Sequence, residues 1–442
     1  MLLARIDGAS IRGSDSLKWP SSMTTRSISW WGWCICSLAA VFYCYEYLLR
    51  IQQSVMVPQL MAHFHASAKQ IGFLSAMYYY AYTPLQLVVA VLTDYYGSRR
   101  MLLFALVNCV IGCFIFASSH VLWQADAGRL FIGIGSAFAF VAALRLAAMW
   151  LPKKHFMIFI GLTTSLGMVG AMVGDVGMSW SVKHWGWLSV IYISVAVGLF
   201  LIPLFYVFIR ENPQNQGLSE ITELGFVDYC IELGRAMIHP QLIMLGIIGC
   251  SLYFSLSVFA DMWGIAYIEQ LTHLPKIHAA SMNALVYLAW LIGAPLHGWL
   301  SGYCKDLRWY LLASCVLTAA CFFLLLHGVS SVGMLGCVLF AFGFFASAEV
   351  ICFVLARDCL PKQFTATAIG VLNAFVMLGG LIVLPLVGMR LDQHWLGQSD
   401  HGGRVYSQVA FYHALFPVFA MLLVSMVVIL FINVQSTKSG LS

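Results

Sequence analysis

Six charged residues lie inside long apolar segments of this chain. They are Glu46, Arg50, Arg129, Arg145, Asp261 and Glu349. A guanidinium group stays charged and can grip a carboxylate or phosphate through two parallel hydrogen bonds, whereas a carboxyl group can take up and release a proton. A charge at the centre of a bilayer costs about 2.5 to 3.5 kcal/mol. These residues are therefore the first candidates for binding a charged solute and for carrying protons.

The composition places these charges in a membrane. Of the 442 residues, 61% are hydrophobic and only 9% are charged, and the mean hydropathy is +0.86. Crossing about 30 Å of hydrocarbon takes about 20 mostly apolar residues, which must be helical because lipid leaves open backbone groups unsatisfied. The sequence thus predicts an all-α integral membrane protein. Twelve spans are predicted, at residues 30–53, 70–92, 101–122, 128–150, 157–180, 187–208, 240–268, 279–302, 309–328, 332–356, 365–388 and 408–433.

Basic residues in the loops predict the orientation of the spans. Lysine and arginine favour the cytoplasmic side, and most loop cations fall on the side that holds both termini and the middle loop, including Arg26, Arg99, Arg100, Lys153, Lys154, Arg210, Arg235, Lys305, Arg308, Arg357 and Lys362. Both termini are therefore predicted to be cytoplasmic. The predicted divisions are a tail (1–28), a six-helix half (29–209), a middle loop (210–239) with a short amphipathic helix near 221–237, a second six-helix half (240–433) and a tail (434–442).

The chain lacks the sequence features of an enzyme or of an ATP-driven pump. There is no Walker loop, zinc pattern or nucleophile elbow, and the thirteen cysteines fall mostly within spans without a CxxC pair. We therefore expect no catalysis, no cofactor, no metal ion and no nucleic-acid partner. The compact loops favour a bacterial inner membrane, and a monomer in the lipid bilayer is expected.

The two halves carry related sequences. The tripeptide Leu-Pro-Lys at 151–153 recurs at 360–362, an offset of 209 residues, and the same register places Gly170 on Gly379. Such a repeat predicts two six-helix halves related by an axis along the membrane normal.

The segment 92–100 resembles the hallmark loop of the major facilitator superfamily. In that family an Asp, a Gly and a basic pair form a cytoplasmic latch that makes and breaks during alternating access. The matching residues are Asp94, Gly97, Arg99 and Arg100, while Ala90 stands where the family has a glycine. The resemblance implies the family's twelve-helix fold, in which spans one, four, seven and ten line a central cavity. All six of the charges named at the outset fall on those spans.

The fourth span adds to this resemblance, because Arg129 with Gly133 and Gly135 is similar to the family's RxxxGxG pattern. Within the first two spans, Arg50 with Tyr82 and Gln86 resembles the anion:cation symporter branch, whose members carry hexonates, hexuronates, sialate or phosphate with protons or sodium. The resemblance implies that Arg50 binds a carboxylate of a small organic anion, with Arg129, Tyr82 and Gln86 beside it. Proton-coupled symport by a rocker-switch motion is the expected activity.

Two departures from that branch concern the proton carrier. The acidic residue that precedes the arginine in many of those symporters is Leu49 here, and the Glu of the fourth span is Ser136. Glu46 lies one helical turn before Arg50 on the same face. It either replaces the missing carriers or simply neutralises Arg50.

The other intramembrane charges also have two interpretations each. Glu349 lies about 18 Å below the end of its helix, so it is a coupling acid or a structural, permanently paired or protonated carboxyl. Asp261 is a coupling acid or an amine ligand, or else it marks a packed helix break near Trp263. Arg145 takes part in gating or extends to the cytoplasmic interface. Asp175, on a glycine-rich face, is predicted to make a structural hydrogen bond.

Other solutes and one other activity remain open at this point. The mixed charges also suit zwitterionic amino acids, nucleosides or a metal chelate. A receptor built on a transporter fold would bind a solute without accumulating it.

Overall fold

The computed structural model describes residues 25–151, 153–210, 226–304, 306–327, 329, 331–361, 364–400 and 403–433. The predicted tails 1–28 and 434–442 lie outside this part of the chain, except that the first helix already begins at Thr25. Of the predicted middle loop, residues 211–225 also lie outside it. The predicted amphipathic helix is present in its described portion, as a helix over Phe226–Met237.

The first half is built from helices that run back and forth between two sides. They are α1 Thr25–Ile51, α2 Val57–Phe64, α3 Ala68–Leu85, α4 Val89–Tyr96, α5 Ser98–Ala117, α6 Leu122–Ser136, α7 Ala139–Trp150, α8 Lys153–Val173, α9 Ser179–Trp185 and α10 Trp187–Phe208. A 3₁₀ turn at Ser54–Met56 joins α1 to α2, and a π-helical segment at Gly174–Met178 joins α8 to α9.

The second half follows the middle-loop helix α11 Phe226–Met237 and has the same alternation. Its helices are α12 Pro240–Phe254, α13 Gly264–Thr272, α14 Lys276–Ser301, α15 Leu307–His327, α16 Val332–Ala346, α17 Val350–Ala356, α18 Thr365–Gln393 and α19 Gln408–Ile429. A π-helical segment at Ser255–Trp263 joins α12 to α13, and a 3₁₀ turn at Ser347–Glu349 joins α16 to α17. A two-stranded hairpin, β1 Ser399–Asp400 and β2 Gly403–Arg404, follows α18.

Eleven helical segments within the described ranges are long and apolar enough to cross a membrane. The predicted span at 70–92 falls below that measure, because α3 contains Tyr78, Tyr79, Tyr80 and Tyr82 and its helix is interrupted before α4. It is nevertheless packed between the two halves, with α6 on one side and α18 on the other. Its low hydropathy therefore reflects burial within protein rather than contact with lipid.

Glycines let helices approach closely at repeat-related positions. A Cβ on Gly170 of α8 would lie 2.6 Å from the carbonyl oxygen of Cys44 in α1. Gly379 of α18 occupies the equivalent position in the repeat, and a Cβ there would lie 2.3 Å from the Cε1 atom of Phe254 in α12. Small residues allow such close packing of membrane helices. The fifth span thus packs on the first as the eleventh packs on the seventh, which agrees with the predicted repeat.

The halves meet along two helix pairs, α3 with α18 and α8 with α14. The side of the molecule on which α10 ends and α11 lies is called the middle-loop side. The other side is called the opposite side. The predicted break near Trp263 is not present, since the helix continues through the π-helical segment into α13. The wider π turn absorbs an extra residue without ending the helix.

Candidate solute-binding site

A cavity of about 530 Å³ lies between the two halves. Its wall reaches from Arg50 and Tyr253 in the interior to Ala90 of α4 and Leu233 of α11 on the middle-loop side. Both halves contribute residues to this wall. In transporters built from two related halves, the substrate site lies at the interface between them. Arg50 and Glu349 are the charged side chains in the described lining, and they come from different halves.

Arg50 is the centre of a hydrogen-bond network in the cavity wall. The side chain is buried, and its Nε and Nη2 donate to Glu46 Oε1 at 3.1 and 2.8 Å. Its Nη1 donates to the hydroxyl of Tyr253 at 2.8 Å, which connects the first half to the second. The spacing of four residues on α1 places the carboxylate and the guanidinium on one helix face.

Tyr78 completes this network from α3. Its hydroxyl donates to Glu46 Oε1 and accepts from Arg50 Nε at 3.2 Å. Glu46 is fully buried and lies behind the cavity wall, and its Oε2 has no partner among the described residues.

Aromatic rings surround the guanidinium group. The centroids of the Tyr47, Tyr82 and Tyr78 rings lie 4.4, 5.3 and 5.4 Å from the Arg50 Cζ atom. Cations are attracted to ring faces at such distances, so the rings fix the position of the charge. Tyr47 and Tyr82 also line the cavity.

Arg129 is placed behind α1 and does not line the cavity. Its Nη1 donates to the carbonyl oxygen of Leu49 at 2.9 Å and its Nη2 to that of Arg50 at 3.3 Å. The last carbonyls of a helix have no partner within the helix, and α1 ends at Ile51. The geometry thus gives Arg129 the role of holding the end of α1, and with it the backbone of Arg50.

Gln86 lies on the cavity wall at the interruption between α3 and α4. Its Nε2 donates to the carbonyl oxygen of Ala137 at 3.3 Å, and its Oε1 accepts from Asn373 Nδ2 at 3.0 Å. The second bond crosses between the halves, since Asn373 belongs to α18.

Glu349 lies in the 3₁₀ turn of the tenth span and faces the cavity. It is 6% exposed and makes no hydrogen bond or ion pair with any residue that the structure describes. The structure therefore does not place it in a structural ion pair within that part of the chain.

Asp261 lies nearer the opposite side, away from the cavity lining. The hydroxyl of Tyr287 donates to its Oδ1 at 2.8 Å and that of Tyr79 to its Oδ2 at 3.4 Å. Tyr79 belongs to the first half, so this contact also crosses the interface.

The predicted gating residues cluster at the middle-loop side. Gly97 has a φ of 86°, a conformation that favours glycine. Arg99 Nη2 donates to the carbonyl oxygen of Tyr206 at 2.6 Å, and Arg145 Nη1 donates to Ser98 Oγ at 3.2 Å, whereas Arg100 is exposed. The side chain of Asp94 lies outside the described part of the chain. Arg145 thus contacts the start of α5, beside the loop that the resemblance identifies.

Sequence reasoning did not single out three residues of these networks. Tyr78 lies one turn before the predicted Tyr82, and Tyr253 and Asn283 are polar residues within apolar spans. The Nδ2 of Asn283 donates to Asp175 Oδ2 at 2.6 Å and to the carbonyl oxygen of Ala260 at 2.9 Å. The hydrogen bond predicted for Asp175 thus links the two halves. Polarity inside a span was the available signal for Asn283.

Comparison with protein families gives the class of this molecule. The model of the Major Facilitator Superfamily matches residues 35–384. The chain therefore belongs to this superfamily of membrane transport proteins, and it is not an enzyme.

Two distant relatives match most of the length of the chain. The chain is 22% identical over 384 residues to the membrane sensor protein UhpC of Escherichia coli (strain K12), covering 80% of this chain and 85% of that protein. It is also 22% identical over 394 residues to the hexuronate transporter of the same strain, covering 83% and 89%.

Solved structures agree with the fold. A bacterial homologue of the human lysosomal transporter Spinster, in an inward-facing and unoccupied conformation, matches with a TM-score of 0.71 at 15% identity, covering 90% of this chain and 96% of that one. A D-xylose–proton symporter matches with a TM-score of 0.67 at 15% identity, covering 92% and 98%. The predicted all-α membrane fold of the major facilitator type is confirmed.

Proposed function

We propose that this protein is a secondary active transporter that moves a small organic anion together with protons by alternating access. The observation that supports it most is the buried Arg50 guanidinium, which lies in the cavity wall and contacts both halves through Glu46 and Tyr253. A permanently charged group at the interface between two moving halves can bind a carboxylate and sense its presence. The similarity to a hexuronate transporter supports an anionic solute.

Glu46 is the proposed coupling acid. While Glu46 is ionised, its Oε1 accepts from two nitrogens of Arg50. Protonation removes the negative charge of this internal partner and leaves the guanidinium available to the carboxylate of the solute. One proton and one monoanion then enter together, and the net charge of the buried site stays the same.

We further propose that the middle-loop side is cytoplasmic, as the loop cations predict. The cavity reaches that side at Ala90 and Leu233, so the structure would represent an inward-facing state. Opening of the opposite side would then admit the solute.

Substitution of Arg50 tests the binding site. We expect Arg50→Ala to abolish uptake of organic acids, hexuronates included, into proteoliposomes with an imposed pH gradient, while the protein still inserts in the membrane. Arg390→Ala is the matched control, since Arg390 is exposed at the end of α18. Full uptake by Arg50→Ala would contradict the proposed site.

Substitution of Glu46 tests the coupling. We expect Glu46→Gln to retain exchange of solute across the membrane but to lose uphill accumulation driven by a pH gradient, because the amide cannot release a proton. Continued accumulation in this variant would move the coupling step to another group.

A sensor is the second candidate, favoured by the similarity to UhpC over 80% of the chain. A sensor would bind organic acids in the purified state and show no accumulation in proteoliposomes under any imposed gradient. Accumulation by the wild type excludes it.

A further inference from the structure

Among the described residues, the second half contributes one carboxylate to the cavity lining, and that carboxylate has no partner within the same part of the chain. Only 6% of Glu349 is exposed, and the residue lines the cavity in which the proposed solute would bind. A buried carboxylate without a hydrogen-bond donor is costly unless a proton or a cation compensates it. Asp261, Asp175 and Glu46 all have donors from neighbouring side chains.

The position of Glu349 relative to Arg50 follows from α12. The Cγ atom of Glu349 lies 3.7 Å from the point that a Cβ of Gly249 would occupy. Tyr253, one turn further along α12, accepts the hydrogen bond from Arg50. Glu349 and Arg50 thus approach α12 at positions one helical turn apart, at Gly249 and at Tyr253.

The surrounding wall also suits a cation. Tyr43, Tyr47, Tyr82, Tyr253 and Trp290 line the cavity, and the Tyr253 and Trp290 rings meet edge to face at a centroid distance of 5.8 Å. Aromatic faces and hydroxyls stabilise organic ammonium groups. The cavity therefore offers a carboxylate to an ammonium group at Glu349 and a guanidinium to a carboxylate at Arg50, within a wall that contains these rings.

We infer that the solute carries an amino group as well as a carboxylate, so that the substrate class is a zwitterionic amino acid. This inference rests on the proposed function, since it assigns the carboxylate of the solute to Arg50; it replaces the monoanion of that proposal with a carboxylate accompanied by an ammonium group, and leaves the proton step at Glu46 unchanged. A solute with only negative charge would place its charge beside the Glu349 carboxylate, which has no partner among the described residues. A zwitterion gives Glu349 a cation that the described side chains do not supply.

The test uses matched pairs of ligands that differ in the amino group. Calorimetric titration of the purified full-length protein compares alanine with propionate and 4-aminobutanoate with butanoate, in the wild type and in Glu349→Gln. We expect the wild type to bind at least one amino acid about 10- to 100-fold more tightly than its des-amino partner, the range for one hydrogen bond to a charged group. Glu349→Gln should lower this ratio to about one while binding of the carboxylate continues.

Two controls separate the inference from the proposed function. Asp358→Asn, at a carboxylate 60% exposed and outside the cavity lining, should leave the ratio unchanged. Arg50→Ala should weaken both members of each pair, and failure of that result would contradict the proposed site. Equal wild-type affinity for both members of each pair would overturn the inference alone. So would a Glu349→Gln variant that keeps the preference but loses accumulation driven by a pH gradient, since Glu349 would then carry a proton.

Discussion

The two ends of the interface between the halves use carboxylates in opposite ways. On the opposite side, three carboxylates accept hydrogen bonds across the interface: Asp175 from Asn283, Asp261 from Tyr79, and Asp392 from the backbone N–H groups of Ala68 and Lys69. On the middle-loop side, Glu349 faces the cavity without a partner in the described chain. The first three acids thus have partners across the interface, whereas Glu349 has none among the described residues.

This difference shows how a closed end can also reopen. A hydrogen bond that is exchanged for one to water changes the free energy by only about 0.5 to 1.5 kcal/mol, whereas an unsatisfied buried group costs more. When the opposite side opens, water can replace Asn283 and the N–H groups as partners. Several such bonds can therefore close the interface without locking it.

The largest expected effect comes from the close backbone contact between α3 and α18. A Cβ on Gly388 would lie 2.2 Å from the carbonyl oxygen of Ala68, so Gly388→Val should prevent the opposite side from closing. Overpacking of about 1 to 3 kcal/mol would shift the population about 5- to 150-fold. The measurement is the labelling rate of a Ser75→Cys reporter by a membrane-impermeant thiol reagent, in a background without the thirteen native cysteines.

Gly161→Val is the matched control for this substitution. Nothing lies within 4 Å of a Cβ at Gly161, and its labelling should equal that of the unsubstituted reporter. Slow labelling in both variants would show that the α3–α18 contact does not control closure.

A smaller effect is expected when the Asp175 contact is removed. Asp175→Ala breaks the 2.6 Å bond from Asn283, which keeps its 2.9 Å bond to the carbonyl oxygen of Ala260. The net contribution of one hydrogen bond is about 0.5 to 1.5 kcal/mol, so labelling of the Ser75→Cys reporter should rise about two- to twelvefold. Ser54→Ala removes the 3.3 Å bond to Asp175 and the 2.9 Å bond to the carbonyl oxygen of Ile51, both of which lie within the first half. It should therefore change labelling far less, and an equal rise would show that the crossing bond is not the decisive one.

Asp392 should contribute less than Asp175. Its carboxylate accepts from the N–H groups of Ala68 and Lys69 at 3.1 and 2.8 Å, where α3 begins. Charge at a helix N-terminus contributes about 0.3 to 1 kcal/mol near the surface, so Asp392→Asn should raise reporter labelling only about two- to fivefold. The increase should be largest at low salt and diminish at high salt, because salt screens the interaction of the carboxylate with the helix N-terminus. A rise beyond that of Asp175→Ala would reverse the ranking.

The smallest effect is expected for Tyr79→Phe. Its bond to Asp261 is 3.4 Å long, and Asp261 keeps the 2.8 Å bond from Tyr287. Labelling of the reporter should stay within about twofold of the unsubstituted rate, because the net contribution of a long bond falls below the usual 0.5 to 1.5 kcal/mol. Tyr287→Phe serves for comparison: its bond to Asp261 lies within the second half, so labelling should also stay within about twofold, and a larger rise would show that bonds within one half control closure as well.

Part of this structure could be predicted from short segments of the sequence. Span length, loop cations and the 209-residue repeat depend on short segments and on the bilayer, so they predicted the helical fold and the six charges worth attention. The pairing of Glu46 with Arg50 was also accessible, since four residues on one helix make neighbours. The position of Tyr82 and Gln86 on the cavity wall came from the family resemblance.

Other features depend on how helices distant in the sequence come together. Arg50 and Arg129 have the same charge and lie on cavity-lining spans, yet Arg50 faces the cavity while Arg129 holds the end of α1. Asp175 and Glu349 are both buried acids, but only the tertiary packing brings Asn283 to the first and leaves the second without a donor among the described residues. Membrane insertion acts on each segment by itself, whereas a hydrogen bond needs two segments. The chain therefore specified which charges enter the membrane, and the packing of the halves decided which of them are paired within the described part of the chain.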